Sequence, residues 1–419
     1  MSPAGGTGRE LRVLVGSPAA GLLPDASAPV PDGTILLDLG EDHPSRAGLL
    51  ELRVWTDGAT DPTAERVVRA EVRIGALHRG AEKLFEVRDY RQVIMLADRH
   101  DWHAPFAGEL AVALLCEQQL GLEVPARATW ARTLLAEHTR VASHLGFLGW
   151  LTDRLDPGLA VEVRGLRERL RVGLAGLTGN RVHPMVTQVG GLAVDPDPGW
   201  LRAETARLDG VPALAARLLD RLDTDAAITL LDGEGPAGSS APSDGPTAAL
   251  GPDLVAAFGV SGPAARAAGC VADLRIEAPY LAYAELADVL STFPAAALPG
   301  PPGGAGRRFA VLAAELAVSA ALVTACAERL SGLPGPVRVD AGKNLRLPDG
   351  DGYLCTEAPL GRSGVYLVSR GERTPWRLKL RTASFNNVAA WEAVLPGCRV
   401  VDLEAALASL GYVVGDLDK

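Results

Sequence analysis

The stretch Ile74–Trp102 reads IGALHRGAEKLFEVRDYRQVIMLADRHDW. A strand-like pattern hands over there to a helical one, inside a dense run of His, Arg and carboxylates. Upstream, Val68, Ala70, Val72 and Ile74 alternate with Arg69, Glu71 and Arg73, and Leu50, Leu52 and Val54 alternate with Glu51 and Arg53. A period of two predicts half-buried antiparallel strands, with a turn near Asp57–Pro62. Downstream, helical periodicity dominates. Pro105 opens a helix that Gly121 closes. Pro125 opens another, with Trp130, Leu134, Val141, Leu145 and Leu148 on one stripe. A third runs through Leu166, Leu170, Leu174 and Leu177 to Gly179, a fourth covers about Trp200–Leu222, and a long one spans Arg308–Leu330.

After Gly335 the period returns to two, with Trp376, Leu378 and Leu380 opposite Arg377, Lys379 and Arg381. The expected fold class is α+β: a predominantly helical bundle core, a small N-terminal antiparallel β region and a C-terminal β-containing segment. The expected organisation is a flexible Gly/Ala/Pro-rich tail over 1–30, a β region over 31–75 and a helical core over 76–335. An α/β segment over 336–419 completes it. Gly/Ser/Pro-rich stretches predict loops at 232–253 and 294–307 inside the core.

The chain has 419 residues, 47% of them hydrophobic and 5% aromatic, with a net charge of −10. That length supports a large core, and the acidic balance argues against nucleic acid as a partner. The five cysteines, Cys116, Cys270, Cys326, Cys355 and Cys398, are scattered. No local zinc or iron–sulfur site is built from them, and they suit a reducing compartment. The N-terminus lacks a basic start followed by an apolar core, so no secretory signal is expected. Phe309–Ala327 is the strongest candidate for a membrane span, but it carries Glu315 and many Ala, which favours a buried helix. The protein is therefore expected to be soluble, or to sit on a membrane through partners.

Six of the seven histidines precede residue 150, and the seventh is His183. His43 follows an apolar strand over Thr34–Leu39 and is pinned beside Pro44, so it is placed either to face a cavity or to bond a turn. With an ordinary pKa of about 6.5, a histidine at such a position can donate or relay a proton. In Arg99-His100-Asp101-Trp102-His103, the two histidines would share a helix face, which is weak evidence for metal without a third ligand. The Gly190-Gly191 pair permits close backbone approach or a simple turn. Gly259–Tyr283 is glycine-rich but lacks the phosphate-loop signature.

These blocks together resemble the D-type subunit of respiratory complex I, the proton-pumping NADH:quinone oxidoreductase, a relative of the large subunit of nickel–iron hydrogenases. The match is carried by HPSRAG at 43–48, RAEVRIGALHRGAEKLFE at 69–86, RHDW at 99–102 and LGLEVPARA at 120–128. ASHLGFLG at 142–149, GNRVH at 179–183, SGPAARAAGCVADLR at 261–275, EAPLGRSGVYLVS at 357–369, RTASFNN at 381–387 and GDLDK at 415–419 continue it in order. The resemblance implies a hydrogenase large-subunit-like fold in the peripheral arm of a membrane complex. There the protein forms a quinone-headgroup cavity with the neighbour that carries the terminal iron–sulfur cluster. It implies electron transfer to a quinone, with menaquinone the expected type, coupled to proton translocation, and with NADH bound elsewhere in the complex.

Partners implied are the B-like protein that bears the cluster, a C-like protein, a ferredoxin-like protein of the I type and an H-like membrane protein, on the cytoplasmic side of the cell membrane. Arg99 and His183 match the family's cluster-adjacent pair, His43 and Trp102 the headgroup site, and Asp153 the relay carboxylate across a one-residue gap. This chain binds no metal in that scheme. It also departs from the family. Ala47 replaces the second His of the loop, Trp102 a Tyr and Gln188 an Arg, and a helix is missing around Asp340–Gly352. Those changes keep two other readings open: a divergent, non-catalytic scaffold paralogue, or the same component in a ferredoxin- or deazaflavin-linked oxidoreductase.

Overall fold

A computed structural model describes residues 8–16, 30–40, 43–44, 49–61, 63–232 and 248–419. Four strands open the chain: β1 (Glu10–Val15), β2 (Thr34–Leu37), β3 (Leu50–Thr56) and β4 (Val67–Arg73). They form one sheet in the order β2-β1-β3-β4. β1 pairs antiparallel with β3 and parallel with β2, so the sheet is mixed, not purely antiparallel. The tail expected over 1–30 is corrected at Glu10–Val15, which lies inside that sheet. Leu11, Val13, Leu14 and Val15 are buried there while Glu10 and Arg12 are exposed, an alternation over Glu10–Val13 that runs into an apolar end, hidden among glycines and prolines. On β3 the alternation holds as read, but a register shift at Trp55/Thr56 turns Val68 outward, 58% exposed.

The helices follow: α1 (Ala81–Phe85), α2 (Tyr90–Ala97), α3 (Pro105–Leu120), α4 (Ala126–Leu155) and α5 (Pro157–Thr178). Pro105 and Pro157 occupy first-turn positions, and Gly121 and Gly179 end α3 and α5 in the left-handed region. After a two-residue ladder of β5 (Thr187–Gln188) and β6 (Gly191–Leu192) come α6 (Pro198–Leu208), α7 (Val211–Leu222), α8 (Asp225–Asp232) and α9 (Pro252–Phe258). The single helix expected over 200–222 is therefore two. Asp209-Gly210 breaks it, and Pro212 starts the second piece. Most of the loop expected at 232–253 lies outside the described residues.

Short helices α10 (Gly262–Ala267), α11 (Leu274–Glu277) and α12 (Ala287–Leu290) lead to α13 (Ala305–Gly332). The loop expected at 294–307 holds one 3-10 turn, Ala295–Ala297, before α13 begins. α13 is long and apolar enough to cross a membrane, but 78% of its most apolar window is buried in the bundle against α4. β7 (Gly350–Ala358), β8 (Gly361–Ser369) and β9 (Arg377–Arg381) then make an antiparallel sheet. Leu378 and Leu380 face the core as read, whereas Trp376 precedes the strand and is exposed beneath the Arg370 guanidinium. The chain closes with α14 (Ala383–Ala389), α15 (Trp391–Val394), α16 (Leu403–Ser409) and α17 (Val414–Leu417).

A buried ionic network joins the bundle to the C-terminal sheet. Glu137 on α4 meets Arg140 and Arg275 and accepts from the hydroxyls of Tyr283 and Ser319, both at 2.6 Å. Glu315 on α13 pairs with His144 of α4 at 2.8 Å and with Arg266 of α10 at 2.7 Å. Arg266 also reaches Glu357 of β7, and Arg140 donates to the carbonyls of Glu357 and Ala358. The arginines hold Glu315 and Glu137 below the usual carboxylate range against burial, which pushes the other way. Breaking such a network leaves an unpaired buried charge. Glu137→Ala is expected to cost about 3–5 kcal/mol, read from the midpoint of urea unfolding. A loss under about 1 kcal/mol would show that the network contributes no more than a surface pair.

Glu109 on α3 organises the loop after α5. Its carboxylate accepts the backbone N–H groups of Met185, Val186 and Thr187 at 2.6, 2.9 and 2.8 Å. Burial, reinforced by the charge of Asp98, pushes Glu109 from 4.5 up to about 7 against the pull of those amides. The folded chain thus holds a proton there, between 4.5 and about 7, that the unfolded chain releases. The corresponding stability is fully present below 4.5 and is lost as pH rises to about 7. Glu109→Gln is expected to flatten that slope in unfolding midpoints measured across the window, and an unchanged slope would contradict the assignment.

Candidate functional site

The loop carried by Glu109 delivers His183 to the end of α2. There Asp98, fully buried, pairs with Arg99 at 2.5 Å and lies 3.5 Å from His183 Nδ1. Residues 84 positions apart in the chain therefore meet on one carboxylate. The Arg99 and His183 side chains remain 39% and 28% exposed, so a guanidinium and an imidazole are presented outward from a buried carboxylate. Arg99 also reaches the Met185 sulfur at 3.3 Å. Asp98 was not singled out from the sequence, although it stands next to Arg99.

The turn between α2 and α3 aims Trp102. Asp101 accepts the N–H groups of His103 and Ala104, both at 3.0 Å. His100 Nδ1 lies 2.8 Å from Asp416 of α17, and Asp416 also binds Thr382 and Ser384. Trp102 packs against Gly415 so closely that a Cβ there would overlap its ring. The C-terminal residues thus form the floor under RHDW. Asp418 extends it by accepting the N–H groups of Gly75 and Leu77 at 2.8 and 2.7 Å. Burial, then the neighbouring Asp416, pushes Asp101 up to about 7. His100 and His103 lie on a turn, not on a shared helix face, and bond different partners. The histidine pair weighed as a metal half-site is not assembled.

A cleft opens beside this turn. Trp102, His103, His138 and Phe106 line it, with Arg167 and Arg171 of α5 and with Arg181, Val182 and Pro184 from the loop flanking His183. His138 is anchored from behind by Glu204 at 2.5 Å, and Arg181 is paired with Glu168. Arg167 Nη2 lies 3.1 Å from His103 Nε2. Burial first, then Arg167 and Arg171, hold the His103 pKa well below its ordinary value, so the ring is neutral.

The other expected site residues fall differently. His43 is buried, 5.4 Å edge-on from Phe147 and 5.7 Å from Tyr412 between ring centroids. His103 packs on the same Phe147 at 5.6 Å. Burial lowers His43 to about 3, so the ring is neutral near pH 7. Asp153 stands on the exposed side of α4 in an ion pair with Arg164. Gln188 Oε1 accepts from Arg338 at 2.7 Å. Ala47 lies outside the described residues. The Gly190-Gly191 pair does allow a close approach, but by the chain's own carbonyls of Val337 and Val339. Arg167 and His103 as cleft partners were missed. The signal was readable: Val163, Leu166, Arg167, Leu170 and Leu174 share one helical face, and an Arg on an apolar stripe needs a buried partner.

Comparison with known proteins places this geometry in a family. A family model described as the 49 Kd subunit of respiratory-chain NADH dehydrogenase matches residues 246–345 and 341–419. The D 1 subunit of the NADH-quinone oxidoreductase of Streptomyces coelicolor is 45% identical over 388 residues, covering 92% of this chain and 95% of that protein. The D 2 subunit of the NADH-quinone oxidoreductase of Salinispora arenicola is 46% identical over 391 residues, covering 92% and 94%. Among solved structures, a chain of the membrane-bound sulfane sulfur reductase, an archaeal respiratory membrane complex, superposes with a TM-score of 0.74. It is 29% identical, with 88% of this chain and 94% of that one covered. With the α+β architecture and the ordered sequence blocks, these matches establish that the chain belongs to the D-type family of NADH-quinone oxidoreductase subunits, as one component of a multi-subunit respiratory oxidoreductase.

Proposed function

We propose that this chain forms one wall of a quinone-headgroup cavity at the electron exit of a complex I-type oxidoreductase. Its mate in that cavity is the B-like neighbour carrying the terminal iron–sulfur cluster. The observation that carries the reading is the meeting of Arg99 and His183 on Asp98, immediately beside a cleft that starts at Trp102. A fixed guanidinium near a cluster favours its reduced, more negative state. The indole N–H of Trp102 supplies one donor toward a headgroup carbonyl. The cluster supplies electrons when the partner is docked, and this chain ligates no metal. The acceptor is a quinone, with menaquinone the expected type, and reduction is coupled to proton translocation in the membrane subunits.

NADH is oxidised elsewhere in the assembly. The C-like, I-like and H-like proteins complete the surroundings at the cytoplasmic face of the membrane, where the chain sits peripherally. Protons for the quinol come from water, since His43 is buried and neutral and Asp153 is paired at the surface. A second reading, a scaffold that keeps the fold and has lost quinone chemistry, draws on the buried His43 and on Gln188 being held by Arg338. The sulfane sulfur reductase neighbour leaves room for a different electron donor or acceptor on the same architecture.

The deciding experiment is purification of the intact complex, identification of every subunit, and quinone reduction with and without the variants below. An NADH-binding flavoprotein among the partners supports the NADH-linked reading, and its absence supports the ferredoxin- or deazaflavin-linked one. An assembly that binds no quinone analogue supports the scaffold. Arg99→Leu is expected to move the midpoint potential of the partner's terminal cluster more negative by on the order of 60 mV, one tenfold change in a one-electron equilibrium. No movement in a redox titration would detach Arg99 from the cluster. His43→Gln is expected to leave the pH profile of quinone reduction between about 6 and 8 unchanged, because the folded ring is neutral throughout. A lost or displaced limb would restore His43 as the proton donor.

A further inference from the structure

The family's second loop histidine is Ala47 here, so one imidazole donor to the headgroup is missing. The cleft contains a substitute of different chemistry. Arg167 is 4% exposed and lines the cleft, with His103, 9% exposed, bonded to it. We propose that Arg167 is the headgroup-binding donor of this site and that His103 is the residue that positions it, the pair standing in for the imidazole that Ala47 cannot supply. The assignment rests on reading the cleft as a quinone site and deepens that reading.

The geometry supports each half. A guanidinium carries five N–H donors in a planar fork and no acceptor. Holding one on His103 Nε2 fixes the plane of the fork and is compatible with presenting others to the cleft. A ring nitrogen accepts from a guanidinium only when it carries no proton, and the ring here is neutral. The ring is itself wedged against α4 at Gly146. A Cβ at that position would come within 2.6 Å of His103 Cε1, 2.8 Å of Nδ1 and 3.0 Å of Arg167 Nη2. The absence of a side chain at Gly146 therefore makes the space that imidazole and guanidinium share. Phe147, the next residue, packs on both His103 and His43, which brings the pair close to His43. Arg171 and Arg181 add positive charge along the same wall. Such a wall favours a carbonyl oxygen on which negative charge accumulates as electrons arrive from the partner's iron–sulfur cluster. Arg167 keeps its proton throughout, and the two protons of the quinol come from solvent.

The test uses the purified complex and a short-chain naphthoquinone as acceptor, with KM and kcat measured separately. Arg167→Lys keeps a charge but loses the fork, and is expected to raise KM about tenfold, the effect of one lost charge-assisted hydrogen bond. His103→Leu is expected to raise KM in the same direction. His103→Gln, whose amide oxygen can accept from Arg167, is expected to recover most of it. Trp102→Ala serves as the control for the cleft itself, and the set of subunits retained, with thermal unfolding, reports assembly. If Trp102→Ala raises KM while Arg167→Lys leaves it unmoved in an intact complex, the Arg167 assignment is overturned. If neither variant moves it, the cleft is not the quinone site. Should Arg167→Lys fail to assemble, the two His103 variants decide. Equal KM values for Leu and Gln would overturn the positioning role, and recovery by Gln alone would support it.

Discussion

Glu137 sits where α4, α11, α13 and the segment bearing Tyr283 converge, and its carboxylate is shared among two arginines and two hydroxyls. Glu315 repeats the arrangement on the facing helix, through His144 and Arg266. Because Arg266 and Arg140 also bond β7, the helical core and the C-terminal sheet are one electrostatic body. Ionic contacts this deep are poor sources of net stability, since desolvation offsets the Coulomb gain. Their effect is on geometry: a buried charge tolerates only the arrangement that pairs it. The cleft depends on that rigidity, because its walls come from α3, α4, α5 and the loop around His183.

The same logic recurs at smaller scale around the site. Glu109 gathers three backbone amides and so holds the loop of His183, and Asp98 then receives His183 and Arg99 together. Asp101, Asp416 and Asp418 tie the Trp102 turn to the C-terminus and to the start of the helical region. These carboxylates set the positions of the groups that face outward. Asp101 and Glu109 are the two that burial pushes toward neutrality, which makes the frame of the site sensitive to pH near neutrality.

The departures from the family pattern acquire a physical reading. Gln188 is bonded by Arg338, so a neutral side chain there stays integrated in the loop. His43 packs as an aromatic ring between Phe147 and Tyr412, with burial removing its charge. The positive character of the cleft is carried by the arginines of α5 and of the loop preceding His183. A site can thus lose one set of donors and remain cationic, because charge is set by the wall as a whole.

What the amino-acid order determined alone was everything that local periodicity and turn chemistry encode. The Pro-to-Gly bounded helices, the strand alternation of Leu50–Val54 and Leu378–Leu380, the buried character of the long C-terminal helix and the family blocks were all legible, because each rests on neighbours within a few residues. The break at Gly210 and the strand at Glu10–Val15 were also local, but composition masked them. Tertiary structure alone decided the rest. It brought Asp98 between Arg99 and His183, buried His43, sent Asp153 to the surface and set Arg167 on His103. Those outcomes turn on which side chains share a low-dielectric interior, and desolvation depends on packing between segments dozens to hundreds of residues apart.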